Sequence, residues 1–160
     1  MVLAGIDIGT LTCRLLIAGW QAGRPLVEVH SERRVLRLGE GLDHSCRLSP
    51  AAMQRVIEVL REWKGQVTTH RAEAVAVVAT SAVREASNRE AFLDLVRRET
   101  GFTVEIISGE EEARRTLLGI RSGLPAGVTK MLGLDIGGGS TEFILDQPDR
   151  TPIVCSKEIG

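Results

Sequence analysis

Leu134-Asp135-Ile136-Gly137-Gly138-Gly139-Ser140-Thr141, continuing into Glu142-Phe143-Ile144-Leu145, reads as an apolar strand, an aspartate, a glycine-rich tight turn with hydroxyl residues, and a second strand. The same order occurs earlier, where Ile6-Asp7-Ile8-Gly9-Thr10 leads into polar and apolar residues up to Ile17. The two aspartates stand 128 residues apart. That is too long for a solenoid period and right for two related domains of ordinary size. The chain therefore reads as two copies of one unit.

Outward from the first copy, strands are expected at 2–8, 12–19 and 25–37, with Gly23-Arg24-Pro25 as a turn. Ser49 is a helix cap with Pro50 at the first helical position, and Met53, Val56, Ile57, Leu60 and Trp63 recur behind it at helical spacing. Ala74 to Ala79 suits a buried strand. Asn88 is expected to cap a helix that turns Phe92, Leu95 and Val96 inward and stops at Gly101. Phe102 to Ile107 reads as a further strand, and Ser108-Gly109-Glu110-Glu111 as a capping box for a helix reaching about Arg121. Gly123, Pro125 and Gly127 mark a linker. Three strands in a meander followed by alternating helices and strands imply an α/β fold, a mixed five-stranded sheet with helices on its faces. The expected division is a first domain at 1–124, then a linker and the beginning of a second domain at 125–160. The second copy, from near Met131, has three strands and no helix, so one apolar face would lie uncovered unless more chain or another chain covers it.

Composition narrows the function classes. With 160 residues, 43% of them hydrophobic, the chain can bury a real core. A net charge of −1 gives no nucleic-acid footprint, so a polyanion would have to be held by local features. Three Phe, two Trp and no Tyr supply no stacking surface for bases. Cys13, Cys46 and Cys155 lack metal-ligand spacing and suit a reduced, cytoplasmic protein. No apolar run approaches a membrane span, and residues 1–9 lack the basic start of a signal peptide. The three histidines, His30, His44 and His70, show no ligand spacing and read as solvated positions.

An aspartate beside a Gly/Ser/Thr turn is a phosphate device. Glycine lets backbone N–H groups approach the anion, hydroxyls add donors, and the aspartate can orient a hydrated Mg²⁺ or instead accept bonds from the loop backbone. Two such turns facing each other could clamp consecutive phosphates. Glu110, Glu111 and Glu112 fall in one helical turn, about 100° apart, so only one or two can face a cleft. Near a helix N-terminus their anions are favoured, which also suits a plain dipole-complementing role.

The pair of turns resembles the two phosphate loops of the actin, sugar kinase and Hsp70 superfamily. Four segments resemble the exopolyphosphatase/guanosine pentaphosphate phosphohydrolase family (Ppx/GppA phosphatases) more closely. They are Ile6-Asp7-Ile8-Gly9-Thr10 with Arg14-Leu15, Ala79-Thr80-Ser81-Ala82-Val83-Arg84 with Asn88, Ile106 through Arg114, and Asp135 through Glu142. Arg33 through Leu42 is similar to the family's strand and Gly-rich turn before the first helix. The resemblance covers essentially the whole chain and implies a ribonuclease-H-like, actin-like fold with more chain to follow. It implies release of a terminal phosphate from polyphosphate or guanosine pentaphosphate by water attack. By the resemblance, Glu112 is the catalytic carboxylate and Arg84 steadies phosphate oxygens; Gly9, Thr10, Gly137, Gly138, Gly139 and Ser140 bind phosphate. Asp135, Asp7 and Glu142 hold Mg²⁺ or another divalent cation. It also suggests a homodimer of the full-length protein, with no nucleic acid and no membrane among its partners. One departure is Leu11, where the family carries a polar residue, which leaves the first loop with fewer donors. Two rival readings share the turns: an actin-like small-molecule kinase, and a non-catalytic sensor of a nucleotide such as guanosine tetraphosphate.

Overall fold

The computed structural model describes residues 1–125 and 127–160; Ala126, inside the expected linker, lies outside the described residues. The first sheet is built from β1 (Val2–Ile8), β2 (Thr12–Gly19), β3 (Val27–Val35), β4 (Ala74–Ala79) and β5 (Val104–Ile106), in the order β3-β2-β1-β4-β5. β1, β2 and β3 run as an antiparallel meander, while β4 and β5 add in parallel on the other side of β1. Parallel neighbours need crossover connections, and α2 (Pro50–Thr69) and α4 (Arg89–Thr100) supply them. This mixed sheet is the ribonuclease-H-like arrangement that the resemblance implies.

Period-two alternation decides which face is covered. Ala4, Ile6 and Ile8 of β1 and Cys13, Leu15 and Ile17 of β2 are buried on one side, against Val56, Ile57, Leu60 and Trp63 of α2 and Phe92 and Val96 of α4. α2 starts where expected: Ser49 Oγ accepts the Ala52 N–H at 3.1 Å, and Pro50 takes the first position, whose N–H has no helical partner. On the other side of the sheet Gly5, Leu16 and Ala76 are exposed.

Several elements depart from expectation. β3 ends at Val35 because the Leu36 and Arg37 N–H groups both turn to the Leu11 carbonyl, each at 2.9 Å. β5 is shortened to Val104–Ile106, since the Phe102 N–H is held by Thr100 Oγ1 at the helix exit. Asn88 stands at the start of α4 but does not cap it; its amide accepts from Leu48 N–H and donates to Leu48 C=O, tying two loops together. Ser108 caps α5 (Gly109–Gly123) through Glu111 N–H, whereas the Glu111 carboxylate goes to Arg115, so only half of the capping box forms. α5 continues through Gly123, two residues beyond Arg121. Two short helices, α1 (Leu42–Ser45) and α3 (Ser81–Glu85), carry too few residues to show a periodic pattern. His30 is not merely solvated: its ring stacks on His70 with centroids 5.1 Å apart, and it bonds Glu32.

The second sheet comprises β6 (Met131–Ile136), β7 (Thr141–Asp146) and β8 (Ile153–Lys157), all antiparallel. α5 covers one of its faces: Ala113 and Leu117 are buried against Ile144, with Ile120, Met131 and Val154 around them. Arg121 clasps Asp146 with two bonds of 2.7 and 2.6 Å. The opposite face leaves Leu132, Leu134, Ile136 and Ile153 exposed. α5 thus follows the first sheet in sequence and packs on the second in space.

Leu60 is fully buried at the α2–sheet contact. Leu60→Ala should cost about 2–5 kcal/mol of stability, read as a lower urea midpoint at unchanged slope by circular dichroism.

Candidate active site

The two aspartate turns are the same structure. Ile8 pairs with Cys13 and Ile136 with Thr141, leaving four-residue connections at 9–12 and 137–140. Each is closed by one bond, Gly9 N–H to Thr12 C=O at 3.0 Å and Gly137 N–H to Ser140 C=O at 2.8 Å. Glycine is required at the first position of both, because a Cβ there would meet the accepting carbonyl oxygen at 2.8 Å in the first turn and 2.9 Å in the second. The cross-strand partners also correspond: Asp7 stands opposite Arg14, and Asp135 opposite Glu142. Equivalent positions therefore carry opposite charges.

The turns face each other across a cavity of about 160 Å³, and all six residues expected to bind phosphate, Gly9, Thr10 and Gly137 through Ser140, line it. The same cavity gathers the acids Asp7, Glu112, Asp135 and Glu142 and the bases Arg14 and Arg33. Thr10 is fixed by its carbonyl, which accepts from Gly39 N–H at 3.0 Å, and by its hydroxyl oxygen, which accepts from Ala82 N–H at 3.2 Å. The hydroxyl proton is left as a donor. Leu11 is half exposed and its carbonyl holds the end of β3; a side chain at Gly138 would come within 2.7 Å of the Leu11 Cβ. Leu11 is thus the surface on which the second turn rests, a role that spacing in the sequence does not reveal.

Of the three consecutive glutamates only Glu112 lines the cavity; Glu110 reaches Arg114, and Glu111 reaches Arg115. Arg84, at the end of α3, donates to the Ile107 carbonyl at 2.9 Å and lies 3.4 Å from Glu112 Oε2. Its guanidinium does not line the main cavity but an adjoining hollow with Ser108, Gly109 and Ser156. Burial, reinforced by the negative charges of Glu142 and Asp7, pushes the Glu112 carboxyl up to about 7 in spite of Arg84. Asp7 is also raised, chiefly by burial, with Arg14 opposing and Asp135 adding to the shift.

The acids differ in what satisfies them. Asp135 accepts from Thr116 Oγ1 at 3.2 Å, and Glu142, itself buried, accepts from Ser156 Oγ at 2.7 Å. Asp7 Oδ1 is buried and, among the described residues, has no hydrogen-bond partner. A buried carboxylate oxygen of this kind fits a cation. Among the described residues, no three His, Cys, Asp or Glu side chains converge closely enough to cage a metal ion. Sequence reasoning gave no role to Arg33, Ser156 or Thr116. Arg33 and Ser156 are placed by strand register and Thr116 by the packing of α5 on the second sheet, although the double arginine at 33 and 34 is visible as a charge run. Among the described residues no helix is long and apolar enough to cross a membrane.

The family profile that matches residues 16–160 is that of the Ppx/GppA phosphatase family. Exopolyphosphatase 2 of Mycobacterium tuberculosis is 38% identical over 153 residues, which are 91% of this chain and 48% of that protein. Guanosine-5'-triphosphate,3'-diphosphate pyrophosphatase of Aeromonas hydrophila is 37% identical over 157 residues, 98% of this chain and 31% of that protein. The chain thus spans about half, or less, of the length of these relatives. The crystal structure of an exopolyphosphatase from Cytophaga hutchinsonii superposes with a TM-score of 0.92 at 31% identity, covering all of this chain and 51% of that one.

The Glu112 shift has a consequence for stability. Its carboxyl is about 7 in the fold against an ordinary 4.5, so the folded state binds the proton more tightly than the unfolded state. The associated stabilisation is present below the ordinary value and is lost as pH rises through about 7. Glu112→Gln, neutral at every pH, should melt higher than wild type at pH ~8 without divalent cations, with the gap closing near pH ~5; differential scanning fluorimetry at both pH values checks this.

Proposed function

This chain belongs to the Ppx/GppA phosphatase family, and we propose that it carries the catalytic cleft of a hydrolase that releases the terminal phosphate of inorganic polyphosphate or guanosine pentaphosphate. The observation that carries this reading is the placement of Glu112 in a cavity bounded by both phosphate turns. The relatives named for these two activities match along nearly the whole chain.

Phosphates of the substrate lie between the Gly9–Thr10 turn and the Gly137–Ser140 turn, held by backbone N–H groups and the Thr10 and Ser140 hydroxyls. Glu112 takes a proton from water as the water oxygen bonds to the terminal phosphorus. The bridging P–O bond breaks, and its electron pair stays with the shortened chain or nucleotide. A carboxyl near 7 is a better proton acceptor at neutral pH than an ordinary glutamate. Arg84, within reach of Glu112, steadies the oxygens where charge develops. Asp7 and Asp135, with Glu142 beside them, would hold Mg²⁺ or another divalent cation, which would supply positive charge to offset that of the phosphates. Water as acceptor separates this chemistry from a kinase of the same fold.

The reading places the cleft between a first unit at 1–124 and a second unit that begins in 125–160, with α5 serving both. Its three free cysteines support a reducing, cytoplasmic setting, and a homodimer of the intact protein belongs to the same proposal.

The test is phosphate release by the intact protein with Mg²⁺, offering polyphosphate, guanosine pentaphosphate and ATP separately. Release from one of the first two is expected. Glu112→Gln should lower turnover by about 10²–10⁴-fold, and chelation of the cation should abolish release. Near-wild-type turnover in Glu112→Gln would overturn the mechanism; ATP consumption only with an acceptor would make the protein a kinase, and guanosine tetraphosphate binding without any release would make it a sensor.

A further inference from the structure

We propose that Ser156 is a positioning residue for the reaction: its hydroxyl holds the buried Glu142 carboxylate by one oxygen and so fixes the other for a divalent cation in the cleft. The inference rests on the hydrolase reading and deepens it, by naming a residue outside the cavity on which the cavity depends.

Strand register puts Ser156 in line with the acids. Asp135 on β6 stands opposite Glu142 on β7, and Glu142 stands opposite Ser156 on β8. Residues directly opposite share a face of the sheet, so the serine flanks Glu142 on the side away from Asp135. In the first copy the same row reads Asp7, Arg14 and Arg33. There the middle residue is a base that offsets its aspartate. In the second copy it is an acid, and like charges directly opposite oppose the pairing. A donor on the third strand answers this: Ser156 Oγ donates to Glu142 Oε1 at 2.7 Å, drawing that oxygen away from Asp135. Glu142 is only 1% exposed, and among the described residues this is its one side-chain hydrogen bond. Removing the donor from a buried acceptor costs the full desolvation of that acceptor, so the carboxylate would move to find another partner.

The serine is itself braced. The first residue of α5 lies against it: a Cβ at Gly109 would stand 2.5 Å from both Ser156 Cβ and Ser156 Oγ. Glycine at 109 lets the helix start and β8 come this close, and α5 then backs the hydroxyl on that side. Ser156 lines the adjoining hollow with Arg84, Ser108 and Gly109, whereas Glu142 lines the main cavity with Asp7, Glu112 and Asp135. Ser156 therefore acts through Glu142 and not on the substrate. Asp135 has a comparable hold, from Thr116 Oγ1 of α5 at 3.2 Å, so a hydroxyl from a different element fixes each acid of the opposed pair. Outer hydrogen bonds of this kind orient carboxylates that hold a metal, and losing one commonly costs about 10–100-fold in metal affinity or activity.

Ser156→Ala removes only the hydroxyl oxygen. In steady-state hydrolysis by the intact protein it should raise the Mg²⁺ concentration for half-maximal rate about 10–100-fold and lower kcat at a fixed, sub-saturating Mg²⁺. KM for polyphosphate or guanosine pentaphosphate at saturating Mg²⁺ should hardly change. Mn²⁺ binding without substrate, followed by electron paramagnetic resonance, should weaken by about tenfold or more in the variant. Ser156→Cys, close in size but a weak donor, should fall with Ser156→Ala and not with wild type, which separates the hydroxyl from the volume it fills. A serine with a merely structural role would lower the melting temperature and leave the cation requirement alone. An unchanged Mg²⁺ requirement and Mn²⁺ affinity in Ser156→Ala, a loss confined to KM, or wild-type behaviour in Ser156→Cys therefore overturns the positioning role. If circular dichroism shows that Ser156→Ala does not fold, Ser156→Cys carries the same readouts. If the wild type releases no phosphate from any substrate, the hydrolase reading fails separately, and the Mn²⁺ titration still decides. About tenfold weaker binding in the variant supports the role; equal affinities, or no binding by either protein, overturn it.

Discussion

Two polar turns lie against each other in this protein, and the absence of side chains on one of them is what allows it. A Cβ at Gly139 would stand 2.6 Å from Ser81 Oγ and 2.8 Å from Thr10 Oγ1, and one at Gly138 would meet Leu11. The first turn cannot retreat, because its backbone is bonded to Leu36, Arg37 and Gly39 and its threonine hydroxyl to Ala82. The separation of the two halves is therefore set by contact between a braced turn and a bare one. The cavity between them keeps its width from that contact.

Charge is arranged around this cavity as unevenly as shape. The repeat places an aspartate at the same point in each copy, but the neighbour opposite is Arg14 in one and Glu142 in the other. Acids accumulate toward the second sheet and α5, and bases toward the edge of the first sheet. Low exposure magnifies the result: Glu112 and Asp7 are both pushed toward their neutral forms mainly by burial, with nearby carboxylates adding to it. In the proposed reaction, phosphate with a divalent ion would bring both charges that this crowding calls for.

α5 links shape to charge. Its N-terminus, capped by Ser108, presents Glu112 to the cavity, while Ala113 and Leu117 on its next turn pack on Ile144 of the second sheet. The helix belongs to the first copy in sequence and serves the second in packing. Periodicity within the helix could show that one side was apolar but not which sheet would receive it. The same limit applies to Asn88, whose place before a helix suggested a cap; its amide is taken by the Leu48 backbone, 40 residues away, a partner no local pattern announces.

The sequence by itself determined the doubled strand–Asp–turn–strand unit, the presence and order of the five strands of the first sheet and its longer helices, the start of α2 at Ser49 and the family to which the chain belongs. These depend on residues within a few positions of each other, where glycine at a close contact, proline at a helix start and alternation along a strand act through backbone sterics and burial alone. Only the tertiary structure decided that α5 covers the second sheet, that Leu11 rests against Gly138, that Glu112 alone among its neighbours turns into the cavity and that Arg33 stands across from Arg14. Each of these joins segments brought together by strand register and by the packing of one copy against the other. Such proximity is a property of the folded chain as a whole, carried by the sum of many weak contacts and not by any short stretch of residues.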